Sequence, residues 1–115
     1  MISTHVLDTS RGVPAAGVRI LLERLESSRA TAAGREISRT VTDADGRVRE
    51  LVPDGTSWGA GRYRLTFDTS SYFTTLGVES FYPFVVVAFE VRDAEQQHHV
   101  PLLLSPFGYS TYRGS

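Results

Sequence analysis

The stretch Arg62-Tyr63-Arg64-Leu65-Thr66-Phe67 alternates cleanly between polar and apolar side chains. A period of two is the signature of a strand with one buried face, and the chain around it reads the same way. On its C-terminal side, Asp68-Thr69-Ser70 supplies N-cap chemistry, so Ser71 to Leu76 is expected to form a short helix closed by Gly77. No other helix is expected. Tyr82 to Val91, with Val85-Val86-Val87 at its centre, reads as a long strand, and Asp93 to Gln97 turns the chain. His98 to Leu104 is a strand interrupted by Pro101. Ser105-Pro106 breaks it, and Phe107 to Tyr112 is the last strand.

On the N-terminal side, Pro53 to Gly61 is a loop. Before it, Arg47 to Leu51 is predicted as the return strand of a hairpin, with Asp43-Ala44-Asp45-Gly46 as its turn and Glu36 to Thr42 as its first arm. Glu26 to Gly34 is rich in Ser, Ala and Arg and reads as a loop. Val18 to Leu25 is a strand by β-branching and length, with helix the competing assignment. Asp8 to Gly17 is turn chemistry, and Ile2 to Leu7 is a short extended run. About eight strands at regular spacing with one short helix predict an all-β, eight-stranded two-sheet sandwich. With no linker and no repeat, residues 1–115 are expected to form a single domain.

Composition narrows the partners. The chain has 115 residues, 41% of them hydrophobic, and a net charge of −1. A chain this long buries roughly two thirds of its unfolded surface. Charge this close to zero gives no electrostatic reason for nucleic acid or an anionic membrane as partner. The absence of cysteine excludes disulfides and thiolate metal sites, and fits a reducing compartment. Met1-Ile2-Ser3-Thr4-His5 has no basic region and no apolar run behind it, so no leader is read. No stretch approaches the ~18 apolar residues of a membrane span. The cytoplasm is the expected location.

Two strands break the one-sided pattern. Phe84-Val85-Val86-Val87-Ala88-Phe89 and Val100-Pro101-Leu102-Leu103-Leu104 are apolar on both faces. Bare patches of this kind associate, so a homo-oligomer with two-fold symmetry is expected unless the helix and a loop cover the second face.

The histidines are His5, His98 and His99. His98 and His99 are neighbours in a strand and point to opposite faces, so only one of them joins any given site. A lone strand histidine is ordinarily structural. His99 precedes Pro101, which cannot donate to a ladder and favours an edge or an interface. Two histidines with an arginine are enough to activate a water and to stabilise an oxyanion. Metal binding has little support, because the adjacent pair cannot share a face and no third ligand is spaced for it. Asp43-Ala44-Asp45-Gly46 resembles a calcium loop only faintly: Val48 stands where that loop needs glycine, and Asp54 where it needs glutamate. No cysteine and no Gly-x-Ser-x-Gly elbow offers a nucleophile. Arg47, Arg49, Arg62, Arg64 and Arg113 read as mostly solvated, Trp58 has no assigned role, and Tyr63, Phe67, Phe81, Phe84 and Phe89 read as core or interface. The end of the chain, Tyr112-Arg113-Gly114-Ser115, is unusual for a terminus. It presents a phenol, a guanidinium and a carboxylate, with a glycine that permits close approach, and is expected to work on a ligand.

Several of these segments resemble the transthyretin-like family. They are Thr4-His5-Val6-Leu7-Asp8-Thr9, Arg11-Gly12-Val13-Pro14-Ala15-Ala16, Thr42-Asp43-Ala44-Asp45-Gly46-Arg47, Leu76-Gly77, Ser80-Phe81-Tyr82-Pro83 and His99-Val100-Pro101-Leu102-Leu103-Leu104-Ser105. The closing Ser110-Thr111-Tyr112-Arg113-Gly114-Ser115 is similar to the hallmark end of the family's purine-catabolic branch, which hydrolyses 5-hydroxyisourate. The hormone-carrying branch has lysine in place of the first-strand histidine, glutamate in place of the post-turn arginine and threonine in place of the histidine before Val-Pro. The resemblance implies an eight-stranded sandwich assembled as a homotetramer, a dimer of dimers with active sites in a channel between them. It implies His5, Arg47 and His99 as catalytic residues and Tyr112, Arg113, Gly114 and Ser115 as substrate-binding residues, with no metal or organic cofactor. Which histidine is the base stays open. The alternatives are a non-catalytic carrier of a small aromatic ligand in the same channel, and a structural sandwich module that would be monomeric.

Overall fold

Alternation in the sequence becomes burial in the computed structural model, which describes residues 1–115. In β6 (Gly61–Phe67), Tyr63, Leu65 and Phe67 are fully buried, and the residues between them are not. The other strands are β1 (Ile2–Asp8), β2 (Val13–Pro14), β3 (Arg19–Leu25), β4 (Gly34–Val41), β5 (Arg47–Val48), β7 (Val85–Val91), β8 (His98–Ser105) and β9 (Gly108–Thr111). They form two sheets. One runs β2-β1-β8-β9 with β5 also on β1, and the other runs β4-β3-β6-β7. An apolar cluster of 18 buried residues fills the space between them, with Tyr63, Phe67 and Phe73 its largest fully buried members. Truncating one of those aromatic residues to alanine is expected to cost about 3–5 kcal/mol.

The sandwich and the short helix match expectation, with local differences. The strand segments number nine rather than eight, because the stretch read as turn chemistry contains β2, a two-residue ladder on β1. Helix α1 (Thr69–Thr75) has Asp68 as its N-cap, accepting from the Ser71 N–H, and Gly77 follows it at φ 70°. Its buried residues are Thr69, Tyr72 and Phe73, so this face packs into the core. It is not long or apolar enough to cross a membrane.

The predicted hairpin is not formed. The Asp43–Gly46 turn reverses the chain, but β4 pairs with β3 while β5 pairs with β1, so the turn carries the chain from one sheet to the other. Turn chemistry specifies a reversal and not the partner of the strand that follows. The return strand is also shorter than predicted. Leu51 and Val52 leave the ladder to enter the core, where the Leu51 N–H donates to the Ile2 carbonyl at 2.8 Å.

The two ends of the chain meet in β1 and β8, which pair in parallel with Ser3 opposite His99 and His5 opposite Pro101. Strand β8 therefore lies inside its sheet and not at an edge, which was one of the two positions, edge or interface, that Pro101 favours. The proline is tolerated because its missing donor faces the β9 side only. Strand β9 stops at Thr111, whose hydroxyl donates to the Pro101 carbonyl at 2.6 Å. The chain then rejoins β8 through a bridge from Gly114 to His99.

Candidate active site

Strand alternation decides which side chains can meet. In β1, Ile2, Thr4 and Val6 are buried in the sandwich, which turns Ser3 and His5 to the outer face. In β8, His98, Val100 and Leu102 point inward, and His99 points out beside Ser3. The adjacent histidines thus diverge as expected. His98 is 4% exposed and its Nδ1 has no hydrogen-bond partner. Burial, then the nearby Arg113 guanidinium, hold it below the ordinary imidazole range.

Arg47 reaches the same outer face through its turn. The Asp43 carboxylate accepts from the N–H groups of Asp45 and Arg47, each at 2.9 Å. Those bonds, the Arg47 N–H first, hold Asp43 below the usual carboxylate range. Gly46 sits at φ 75°, and its carbonyl accepts from the Val6 N–H at 2.7 Å. A Cβ there would run into the Val6 carbonyl, so the close docking of the turn on β1 requires glycine. The result sets Arg47 directly across from His5. No ion pair occupies His5, Arg47 or His99.

His99 is held on several sides. Its Nδ1 lies 2.8 Å from Ser3 Oγ, and Gln97 Nε2 donates to that same oxygen at 2.9 Å. The Gly114 N–H donates to the His99 carbonyl at 2.8 Å. A Cβ on Gly114 would sit 2.5 Å from His99 Cδ2. Burial, then the charge of Arg47 and of His5, hold His99 below its ordinary range, which favours the neutral ring. The cleft over these groups has a volume of about 290 Å³ and is lined by Ser3, Arg47, Arg49, Gln97, His99 and Ser115 among others.

The sequence-predicted residues divide around the His99 ring. Arg47, His99 and Ser115 line this cleft; His5 stands across from Arg47 on the same sheet face without lining it, and Gly114 bridges to His99. Tyr112 and Arg113 line a second cavity of about 210 Å³ with Phe89 and His98, and His99 is the wall common to both. Arg113 Nη2 donates at 3.4 Å to Gln96 Oε1 and to the Gln97 carbonyl. Among the lining residues that were not singled out as site residues are Ser3, Gln97 and Arg49. Once the site is known, spacing relates two of them to it, because Ser3 shares a strand face with His5 and Arg49 lies two residues beyond Arg47, but spacing alone does not single them out. Nothing local marked Gln97. No group of three His, Cys, Asp or Glu side chains is placed to hold a metal ion.

Comparison with known proteins gives the same picture. The model of the HIUase/Transthyretin family matches residues 2–114. A probable 5-hydroxyisourate hydrolase of Caenorhabditis elegans is 51% identical over 114 residues, covering 99% of this chain and 81% of its own length. The structure of Klebsiella pneumoniae 5-hydroxyisourate hydrolase superposes with a TM-score of 0.83 at 37% identity, covering 99% of this chain and 92% of that one. Sea bream transthyretin in complex with thyroxine superposes with a TM-score of 0.85 at 31% identity, covering 98% of this chain and 93% of that one. Fold and sequence agree, and the chain belongs to the HIUase/Transthyretin family.

Proposed function

We propose that this chain is a hydrolase of purine catabolism that opens the six-membered lactam ring of 5-hydroxyisourate with water, giving 2-oxo-4-hydroxy-4-carboxy-5-ureidoimidazoline. The observation that carries the reading is the gathering of His5, Arg47 and His99 on one outer sheet face, none of them neutralised by a carboxylate. Relatives named for this hydrolase, at 51% and 37% identity, support it.

The chemistry asks for three things. Water must lose a proton as its oxygen bonds to the lactam carbon, the carbonyl oxygen must gain charge, and the departing ring nitrogen must receive a proton. Imidazoles move protons near neutrality, a contribution on the order of 10²–10⁴-fold. Arg47 brings a permanent positive charge to the developing oxyanion. Arg113 and Tyr112, beyond the His99 ring, are assigned to the flat, oxygen-rich substrate, for which a planar guanidinium is suited. Gly114 leaves room for it, and Ser115 bonds its edge. Neither a metal nor an organic cofactor enters this scheme. A carrier of small aromatic ligands would have little use for so polar a cleft.

The working unit is taken to be all 115 residues as one domain, in the cytoplasm, assembled as a homotetramer with active sites between dimers. Bare apolar surface supports assembly: Phe107 is 64% exposed and Phe84 54%. Freshly generated 5-hydroxyisourate, followed by ultraviolet absorbance, tests the activity. The chain is expected to speed its decay by roughly three orders of magnitude or more. An unchanged decay would overturn the proposal.

A further inference from the structure

The bonds around Ser3 specify which ring nitrogen of His99 carries the proton. Ser3 is buried, 6% exposed, and faces His99 in the parallel register of β1 and β8. A serine hydroxyl has one hydrogen to donate and two lone pairs to accept with. Gln97 Nε2 donates to one of those lone pairs. The only other partner of Ser3 Oγ is His99 Nδ1. The hydroxyl hydrogen therefore has one acceptor, Nδ1, and a neutral ring that accepts at Nδ1 carries its hydrogen on Nε2. In the opposite tautomer, Nδ1–H and the Gln97 amide would both point at Oγ, and the buried hydroxyl hydrogen would have no acceptor. Turning the ring over offers no escape, because it would place Cδ2 against Ser3 Oγ and lose the hydrogen bond altogether.

We propose that Gln97 and Ser3 are positioning residues that hold His99 as a neutral Nε2–H hydrogen-bond donor, which leaves the role of base to His5. The catalytic half of this inference rests on the hydrolase reading above; the tautomer does not. A neutral imidazole cannot give up Nε2–H without becoming an anion, so His99 donates a hydrogen bond to the lactam oxygen and keeps its proton, alongside Arg47. His5 then does the proton transfer. It takes the proton from the attacking water as the new C–O bond forms, and returns it to the ring nitrogen as the C–N bond breaks. Atoms and charge balance, and His5 ends as it began.

Ring-nitrogen NMR shifts of ¹⁵N-histidine protein test the proposal. In the wild-type chain His99 is expected to show a protonated Nε2 and a bare Nδ1. Gln97→Glu replaces the donor to Ser3 by an acceptor, so the hydroxyl hydrogen turns to the carboxylate and the His99 tautomer reverses. With it kcat is expected to fall about tenfold or more, while KM changes by less than about threefold. Ser3→Ala is expected to lose activity similarly, and Ser3→Thr, which keeps the hydroxyl, to recover most of it. Thermal unfolding of each variant separates a folding defect from a lost hydrogen bond. A wild-type His99 protonated at Nδ1 would overturn the proposal without any variant, as would a reversed tautomer with unchanged kcat. If the wild-type chain fails to hydrolyse 5-hydroxyisourate, the ring shifts still report the tautomer, so the two readings fail separately.

Discussion

Gly114 has no side chain, and the His99 ring lies in the space where one would be. Gly114→Ala is therefore expected to push the imidazole off its Ser3 bond and lower kcat/KM by about tenfold to a hundredfold, since small misplacements at a site are costly. The melting temperature should move little, because Gly114 lies outside the core. His5→Ala, Arg47→Ala and His99→Ala are each expected to lower kcat/KM by about a hundredfold or more while leaving the fold intact. Retained activity in all three would remove their assignment. The histidines were legible from the sequence by type, since the chain has only three; Arg47, one arginine among many, was legible only through the family resemblance. Ser3 and Gln97 were not, because a serine and a glutamine acquire a role only from what stands opposite them, and their partner is some 96 positions away for Ser3.

Strand β1 is tied down at its far end by Asp8, which is fully buried. Its carboxylate accepts from the N–H groups of Ser10 and Arg11, from the Ser10 hydroxyl and, across to α1, from Tyr72 Oη at 2.8 Å. Burial alone would raise its pKa; the hydrogen bonds from Ser10, Tyr72 and the backbone outweigh that and hold it below the usual carboxylate range. Asp8→Ala is expected to destabilise the protein by about 2–3 kcal/mol and Tyr72→Phe by about 1 kcal/mol, read from urea unfolding. A cost near zero for both would show that α1 is docked by Tyr72 and Phe73 packing alone. At this scale the sequence identified the helix with its cap, because capping is local. It misassigned the hairpin at Asp43–Gly46, because strand pairing is not.

Size-exclusion chromatography with light scattering is expected to give about four times the 12.7 kDa chain mass, and a monomer would remove the tetramer. Stability should also fall with acid. His98 and His99 are both held below the ordinary imidazole value of 6.5, so the unfolded chain binds protons more readily than the folded one. Their contribution is complete above that value and is lost as pH falls through the lowered folded values. The melting temperature is expected to drop between about pH 7 and pH 5, and His98→Phe, which removes a buried imidazole with an unpartnered nitrogen, to flatten the drop. Sequence by itself determined the sandwich, the helix and the chemistry available to the site, since alternation, caps and residue types act over a few positions. Only the tertiary structure decided that β1 and β8 lie parallel, that Arg47 faces His5, and that a serine and a glutamine bind His99. Those choices rest on which strands bury which faces together, a property of the assembled core and not of any segment within it.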